Sequence, residues 1–361
     1  MIKVCYINAE GYGLLDPATG DKCYSGSEIG IHTDAFELAK DPEFDVQILA
    51  EAERGKKFKK GRITVWTIEG SFLETKLIPF MRYRLRFWRK IKEINADIYV
   101  MRAAPGEIYF LTALFCKIYK RKFIQVLGVT LKKNIPLTQP GRFLRWNVFG
   151  LAAVHMAGAI VAITRDQTKQ IPLGSLRKTR VVYTGKHLAH QINTRSKRNH
   201  ILWVGSKKPE KKPELFIQLA ERLADYKFVM IRAPEDLKLP PNVAYLKHVP
   251  HNKIDYYYSH AVATVSTSSL DWNSHANLES WKNGTPVIAL TIDTDENICK
   301  YNTGFHSRTF HQLVEDVKKI MGDRRLWENK SKNSLEYMRR EHDIRKQIEK
   351  YKGIFRKLIS K

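Results

Sequence analysis

Between residues 266 and 288 the chain reads Ser266-Thr267-Ser268-Ser269-Leu270-Asp271-Trp272-Asn273-Ser274-His275-Ala276-Asn277-Leu278-Glu279, and later Asn283-Gly284-Thr285-Pro286-Val287-Ile288. The pattern predicts a strand ending near Ser266, then a loop carrying Asp271. A helix beginning between Asn273 and Ala276 stops at Asn283-Gly284, and a new strand starts at Pro286. Asp271 and Glu279 thus stand eight positions apart, one on the loop and one within the helix. Both can face the carboxyl end of a sheet, the edge where open α/β folds bind ligands. The N–H groups that open the helix can hold phosphate. Taken singly, each acid has a plainer reading: Asp271 caps a helix, and Glu279 is a solvated helix residue.

Such a loop needs a sheet on either side, and the rest of the chain supplies one. Ile2 to Ile7 reads as a strand, followed by a glycine-containing loop and the turn Ser25-Gly26-Ser27-Glu28. A helical pattern then runs through Ala35 and Leu38 to the strand Asp45 to Leu49, which makes a parallel βαβ unit. Further strands are expected at Ile63 to Trp66, Asp97 to Val100, Phe123 to Val126, Ala159 to Thr164 and Arg180 to Tyr183. Residues 186–199 are polar, basic and without periodicity, the signature of an interdomain linker. A second series follows with strands at Ile201 to Val204, Lys227 to Ile231, Val243 to Leu246, Ala261 to Val265 and Pro286 to Leu290. The expected division is 1–190, 191–345, and a last helix over 346–361 that returns to the N-terminal domain. The class is α/β, two Rossmann-like domains whose parallel sheets face each other across a cleft.

With 361 residues, 43% of them hydrophobic, the chain has the core for two domains. The formal net charge of +25 calls for an anionic partner: nucleic acid, a membrane surface or a phosphate-bearing ligand. Residues 54–92 hold 13 Lys/Arg against 2 Glu. Leu77, Met81, Leu85, Trp88 and Ile91 recur there at helical spacing beside Arg82, Arg86 and Lys90, with Arg89 next to Trp88. An apolar stripe beside a cationic one describes a helix lying on anionic lipid, and equally a surface helix packed on its own domain. The apolar run from Val148 to Ile163 is short for a membrane span and reads as a buried helix leading into a strand. Four widely separated cysteines without a CxxC, and an N-terminus without a leader pattern, indicate a cytoplasmic protein. The histidine pairs 187/190 and 248/251 lack an accompanying HExxH or carboxylate cluster, so no metal is expected. No RRM, KH, helix-turn-helix or zinc pattern supports nucleic acid.

Taken together, the 266–288 segment resembles the glutamate-x7-glutamate motif of retaining glycosyltransferases of the GT-B fold, glycosyltransferase family 4. The family's usual tail corresponds to Asn283 through Ile288. The resemblance extends to Leu202-Trp203-Val204-Gly205-Ser206 with Lys211, to His248 through Tyr258, to Val182 through Gly185, and to the Gly26-Ser27-Glu28 turn. It implies that Glu279 holds the ribose hydroxyls of a nucleotide, Asp271 contacts the donor sugar, and Lys211 neutralises the diphosphate. Gly205, Ser206 and the stretch Asn273, Ser274, His275, Ala276, Asn277, Leu278 and Glu279 would line the donor. Gly26, Ser27 and Glu28 would form the phosphate or acceptor loop. Carboxylates suit vicinal hydroxyls because they accept two hydrogen bonds, and a diphosphate leaving group needs cations where its charge develops. Three positions depart from the family pattern: Asp271 stands for the usual glutamate, Ser206 for an arginine and Leu127 for a histidine.

The expected activity is therefore transfer of a hexose, with retention, from a UDP- or GDP-linked sugar to a hydroxyl of a glycan or lipid-linked acceptor. No tightly bound cofactor is implied. The basic N-terminal domain points to an acceptor at a membrane, in polysaccharide or glycolipid synthesis at the inner face. The alternatives are an epimerase or phosphorylase of the same fold, a basic nucleic-acid binder, and a binding protein without transferase activity.

Overall fold

The computed structural model describes residues 1–16, 25–71, 77–103, 106–128, 141, 144–189, 191–206, 208–234, 237–250, 253–271 and 274–360. Asn273, named above for the donor, lies outside them, as do Lys207, His190 and His251. The chain divides into two compact units, Met1–Gly185 with Ile344–Lys361, and Lys186–Asp343.

The first unit is an eight-stranded sheet of β1 (Ile2–Ile7), β2 (Phe44–Ala52), β3 (Lys57–Lys60), β4 (Ile63–Glu69), β5 (Ile98–Ala103), β6 (Lys122–Leu127), β7 (Ala159–Ala162) and β8 (Thr179–Val181). Its order is β3-β4-β2-β1-β5-β6-β7-β8. The described pairings are parallel except β3 with β4, a hairpin that the basic run Lys57-Phe58-Lys59-Lys60 hides from sequence patterning. Alternate residues of β1 go to opposite faces. Val4 and Tyr6 pack with Ile31, Leu38 and the last helix, whereas Cys5 and Ile7 pack with Phe87, Ile91 and Phe115. Both faces are covered, which is why the strands read as near-continuous apolar runs. The last helix, Ile344–Ile359, buries Ile344, Ile348, Tyr351 and Phe355 in this unit's core. The apolar run after Val148 forms the helix Gly150–Met156 and then β7.

The second unit is a parallel sheet of β9 (His200–Val204), β10 (Phe228–Ile231), β11 (Val243–Leu246), β12 (Ala261–Ser266), β13 (Val287–Ala289) and β14 (Gly304–His306). Its order is β11-β10-β9-β12-β13-β14. Residues 186–199, expected as a linker, are instead part of this unit. Arg198 is buried and donates to the carbonyls of Ala261 (2.9 Å) and Asn283 (2.7 Å) and to Thr285 Oγ1 (2.5 Å). A guanidinium has donors enough for all three, so a basic residue that looked solvated serves as an internal tie.

Candidate functional site

In the second sheet the chain builds outward from β9 to β11, then returns to β12 on the other side of β9. Loops leaving the carboxyl ends of β9 and β12 therefore diverge at a switch point, the usual ligand crevice of such sheets. The β9 loop carries Gly205, Ser206 and Lys211, and the β12 loop carries Asp271. Hydrogen bonds stitch the two loops together. Ser269 N–H donates to the Glu210 carbonyl (2.9 Å) and Thr267 Oγ1 to the Lys211 carbonyl (2.7 Å). The Trp203 indole N–H donates to Thr267 Oγ1 (3.0 Å). Gly205 is required by close approach, since a Cβ there would lie 2.1 Å from the Trp203 ring. Lys212, with φ of 45°, is in the left-handed region that favours glycine, and it turns the chain into the helix Pro213–Arg222 immediately after Lys211. Across the stitched loops Lys211 Nζ lies 2.7 Å from Asp271 Oδ2. Two residues that the sequence assigns separately to diphosphate and sugar are thus in direct contact.

The helix after the β12 loop, His275–Lys282, is capped by Ser274, whose hydroxyl accepts from Asn277 N–H at 3.3 Å. Leu278 N–H is bonded to the Ser274 carbonyl at 3.1 Å. The N–H groups that no helical carbonyl can reach are then those of His275 and Ala276. Asn277 is buried with its side-chain oxygen lacking a hydrogen-bond partner among the described residues. Leu278 turns away into a core with Trp281, Val287 and Met338, so its side chain packs rather than lines an opening.

Glu279 is 6% exposed and forms a separate cluster. Lys186 Nζ lies 2.5 Å from its Oε1, and Lys282 Nζ lies 2.7 Å from its Oε2. Burial by itself would raise this carboxyl, but the two ammonium groups outweigh burial and hold it well below the usual range. Lys186 Nζ is also 3.2 Å from His275 Nδ1, and Lys282 reaches Asp255 at 2.9 Å. Sequence reading missed both lysines. Lys282 had a signal, three residues beyond Glu279 on one helix face. Lys186 had none, being read as part of a linker.

In the first unit β1 pairs with both β2 and β5, which makes a second switch point. There Ser25 caps the helix Gly26–Leu38 in a reciprocal box with Glu28, Ser25 N–H donating to Glu28 Oε2 at 2.8 Å. Gly26 and Ser27 open that helix and are half-buried, while the Glu28 carboxylate is engaged by the cap. Burial, and then hydrogen bonding to Glu28, raise the Glu10 carboxyl. Gly30 makes room for Arg102, whose guanidinium a Cβ there would meet at 2.1 Å. The buried Arg102 donates to Thr184 Oγ1 at 2.6 Å.

The basic helix forms as Leu77–Ile94. Its packed face is Tyr83, Phe87, Ile91 and Ile94, while Met81 and Leu85 are 53% and 58% exposed. Arg82, Arg86 and Arg89 are exposed beside them. Trp88 is half-buried, edge-on to Phe115, and Lys90 pairs with Glu93 at 2.7 Å. Among the described residues no helix is long and apolar enough to cross a membrane.

Residues 186–340 match the family model of glycosyl transferases group 1. The whole chain has the GT-B fold. It is similar, at 14% identity and a TM-score of 0.77, to sucrose-phosphate synthase from Thermosynechococcus elongatus, with all of both chains covered. It is similar to Anabaena HepE in complex with UDP and glucose at 12% identity and a TM-score of 0.70, covering 98% of this chain and 99% of that one. A UDP-forming α,α-trehalose-phosphate synthase from Burkholderia xenovorans superposes with a TM-score of 0.70 at 11% identity, covering 99% and 100%. A search of curated protein sequences finds no match.

Proposed function

We propose that this protein is a retaining glycosyltransferase of family 4 that takes a hexose from a UDP-sugar and places it on a hydroxyl of a glycan or lipid-linked acceptor. One observation carries the reading. Within the region matching the group 1 family, a lysine and an acid meet at the switch point, and a buried, ionised glutamate follows eight residues after that acid. The solved relatives that hold UDP and glucose or are named UDP-forming favour uridine over guanosine.

In this reading the Glu279 carboxylate accepts from the ribose hydroxyls, kept ionised by Lys186 and Lys282. The diphosphate lies against the N–H groups of His275 and Ala276. Lys211 leaves Asp271 to neutralise the departing diphosphate, and Asp271 then accepts from the sugar. The anomeric carbon–oxygen bond to the diphosphate breaks as the acceptor oxygen bonds from the same face. The acceptor proton passes to a diphosphate oxygen, so no protein nucleophile is required. Charge stabilisation at the leaving group is the protein's main contribution. The Gly26-Ser27-Glu28 turn serves the phosphate or the acceptor. Exposed Met81 and Leu85 beside Arg82, Arg86 and Arg89 support a lipid-linked acceptor at the inner face of an anionic membrane, the protein itself being cytoplasmic.

The test is thermal shift and calorimetric titration with UDP, GDP, ADP and their sugars, on the wild type, Asp271→Asn and Glu279→Gln. Ligand at a hundred times Kd should add about 2.7 kcal/mol of stability. A shift with uridine nucleotides that weakens in both variants supports the proposal. The absence of binding to any nucleotide by the wild type overturns it.

A further inference from the structure

We propose that Asp293, Cys299 and His306 form a zinc-binding site, with water as the fourth ligand, and this goes beyond the transferase reading. Their spacing along the chain resembles no metal motif, and the sequence predicts no metal. The fold nevertheless brings them together. Asp293 lies in the loop after β13, Cys299 on the short helix Asn297–Tyr301, and His306 ends β14. One ligand atom from each lies within 4.8 Å of the others. Tetrahedral zinc with bonds of about 2.0–2.3 Å separates its ligands by about 3.5 Å, so side-chain rotations of roughly 1 Å complete the set.

Asp293 and His306 are already held by hydrogen bonds. The Asp293 oxygens accept from Ile298 N–H (2.8 Å) and Cys299 N–H (3.0 Å). A carboxylate has lone pairs beyond those two. His306 Nε2 lies 3.1 Å from the Thr291 carbonyl. A carbonyl can only accept, so Nε2 carries the proton and Nδ1 presents its lone pair, the arrangement by which metal-bound histidines are usually held. Cys299 is exposed at the surface. The backbone is held in an unusual state around the three ligands: Asp295, Glu296, Asn302 and Arg308 have φ of 54°, 55°, 51° and 64°, four of the eight such non-glycine residues described. A thiolate, an imidazole and a carboxylate together select zinc over magnesium or calcium. Thr294 Oγ1 donates to the Asp271 carbonyl at 3.1 Å, so metal would stiffen the loop beside Asp271.

The experiment titrates chelator-treated protein with zinc, and separately with cobalt, in wild type, Cys299→Ser and His306→Ala, with no nucleotide present. Melting curves without metal establish that both variants fold. One equivalent bound by the wild type, affinity at least about tenfold weaker in each variant, and a cobalt–thiolate charge-transfer band absent from Cys299→Ser support the site. No stoichiometric binding by the wild type, or affinity unchanged in either variant, overturns it. Because the readout is metal alone, its failure leaves the nucleotide test untouched.

Discussion

Lys186 Nζ lies 2.5 Å from Glu279 Oε1 across 93 positions of sequence, both side chains buried. The lysine's own backbone N–H is bonded to the His342 carbonyl at 2.7 Å. The acid proposed to hold the nucleotide ribose is thereby tied to a segment close to where the chain leaves this unit.

Breaking this cluster is expected to be costly. Glu279→Gln leaves the buried Lys186 ammonium without its acid and Lys282 with Asp255 alone, a loss of roughly 3–5 kcal/mol. Adding Lys186→Met should recover part of it, read by urea denaturation. The pH sign follows from the lowered carboxyl. Its stabilisation is complete above the ordinary value of 4.5 and is lost as the pH falls toward the folded-state value. A wild-type stability that stays flat from pH 5 to 3 relative to the variant would contradict the pairing.

Lys211→Ala should separate binding from folding. The Lys211–Asp271 pair is partly exposed, at 24% and 16% for the two side chains, so its loss should change stability by under about 1 kcal/mol. A charge-assisted contact to diphosphate is worth about 1.5–3 kcal/mol, so UDP affinity should fall roughly ten- to hundredfold. Calorimetry of UDP against uridine provides the check: only the diphosphate-bearing ligand should be affected.

His200 sets a second pH dependence. Burial lowers its imidazole to about 4 from the ordinary 6.5. The unfolded chain then takes up a proton that the folded chain refuses. Stability is full above pH 6.5 and falls as the pH drops toward 4, by roughly 3 kcal/mol from this residue. The melting temperature of His200→Gln, compared with wild type across that window, should show a shallower decline.

Replacing Arg82, Arg86 and Arg89 with Gln should weaken binding to anionic vesicles roughly a hundredfold, at about 1 kcal/mol per charge near the surface. Neutral phosphatidylcholine vesicles are the control. Equal sedimentation of wild type and triple variant with anionic vesicles would remove the membrane reading of this helix.

The two α/β series were legible because strand and helix periods are local properties. Val4 to Ile7, Ile201 to Val204 and Ala261 to Val265 announce themselves as apolar runs, since both faces of a parallel strand are buried. β3 and β14 were not legible, one being basic and the other three residues long. The basic helix was legible as a helix, but its buried face was not. Tyr83 and Phe87 pack while Met81 and Leu85 face outward, because orientation depends on what lies beneath the helix.

By itself the sequence determined the fold class, the spacing of Asp271 and Glu279, and the offset of Lys211 from Gly205. Tertiary structure alone decided that Lys211 meets Asp271, that Lys186 and Lys282 hold Glu279, and that Asp293, Cys299 and His306 converge. Periodicity encodes which face of an element is buried, and that information lies within a few residues. A charge pair depends on strand order and on where loops return. Lys186 reads as one more solvated lysine until the sheet order β9-β12-β13 and the helix after β12 bring Glu279 beside it.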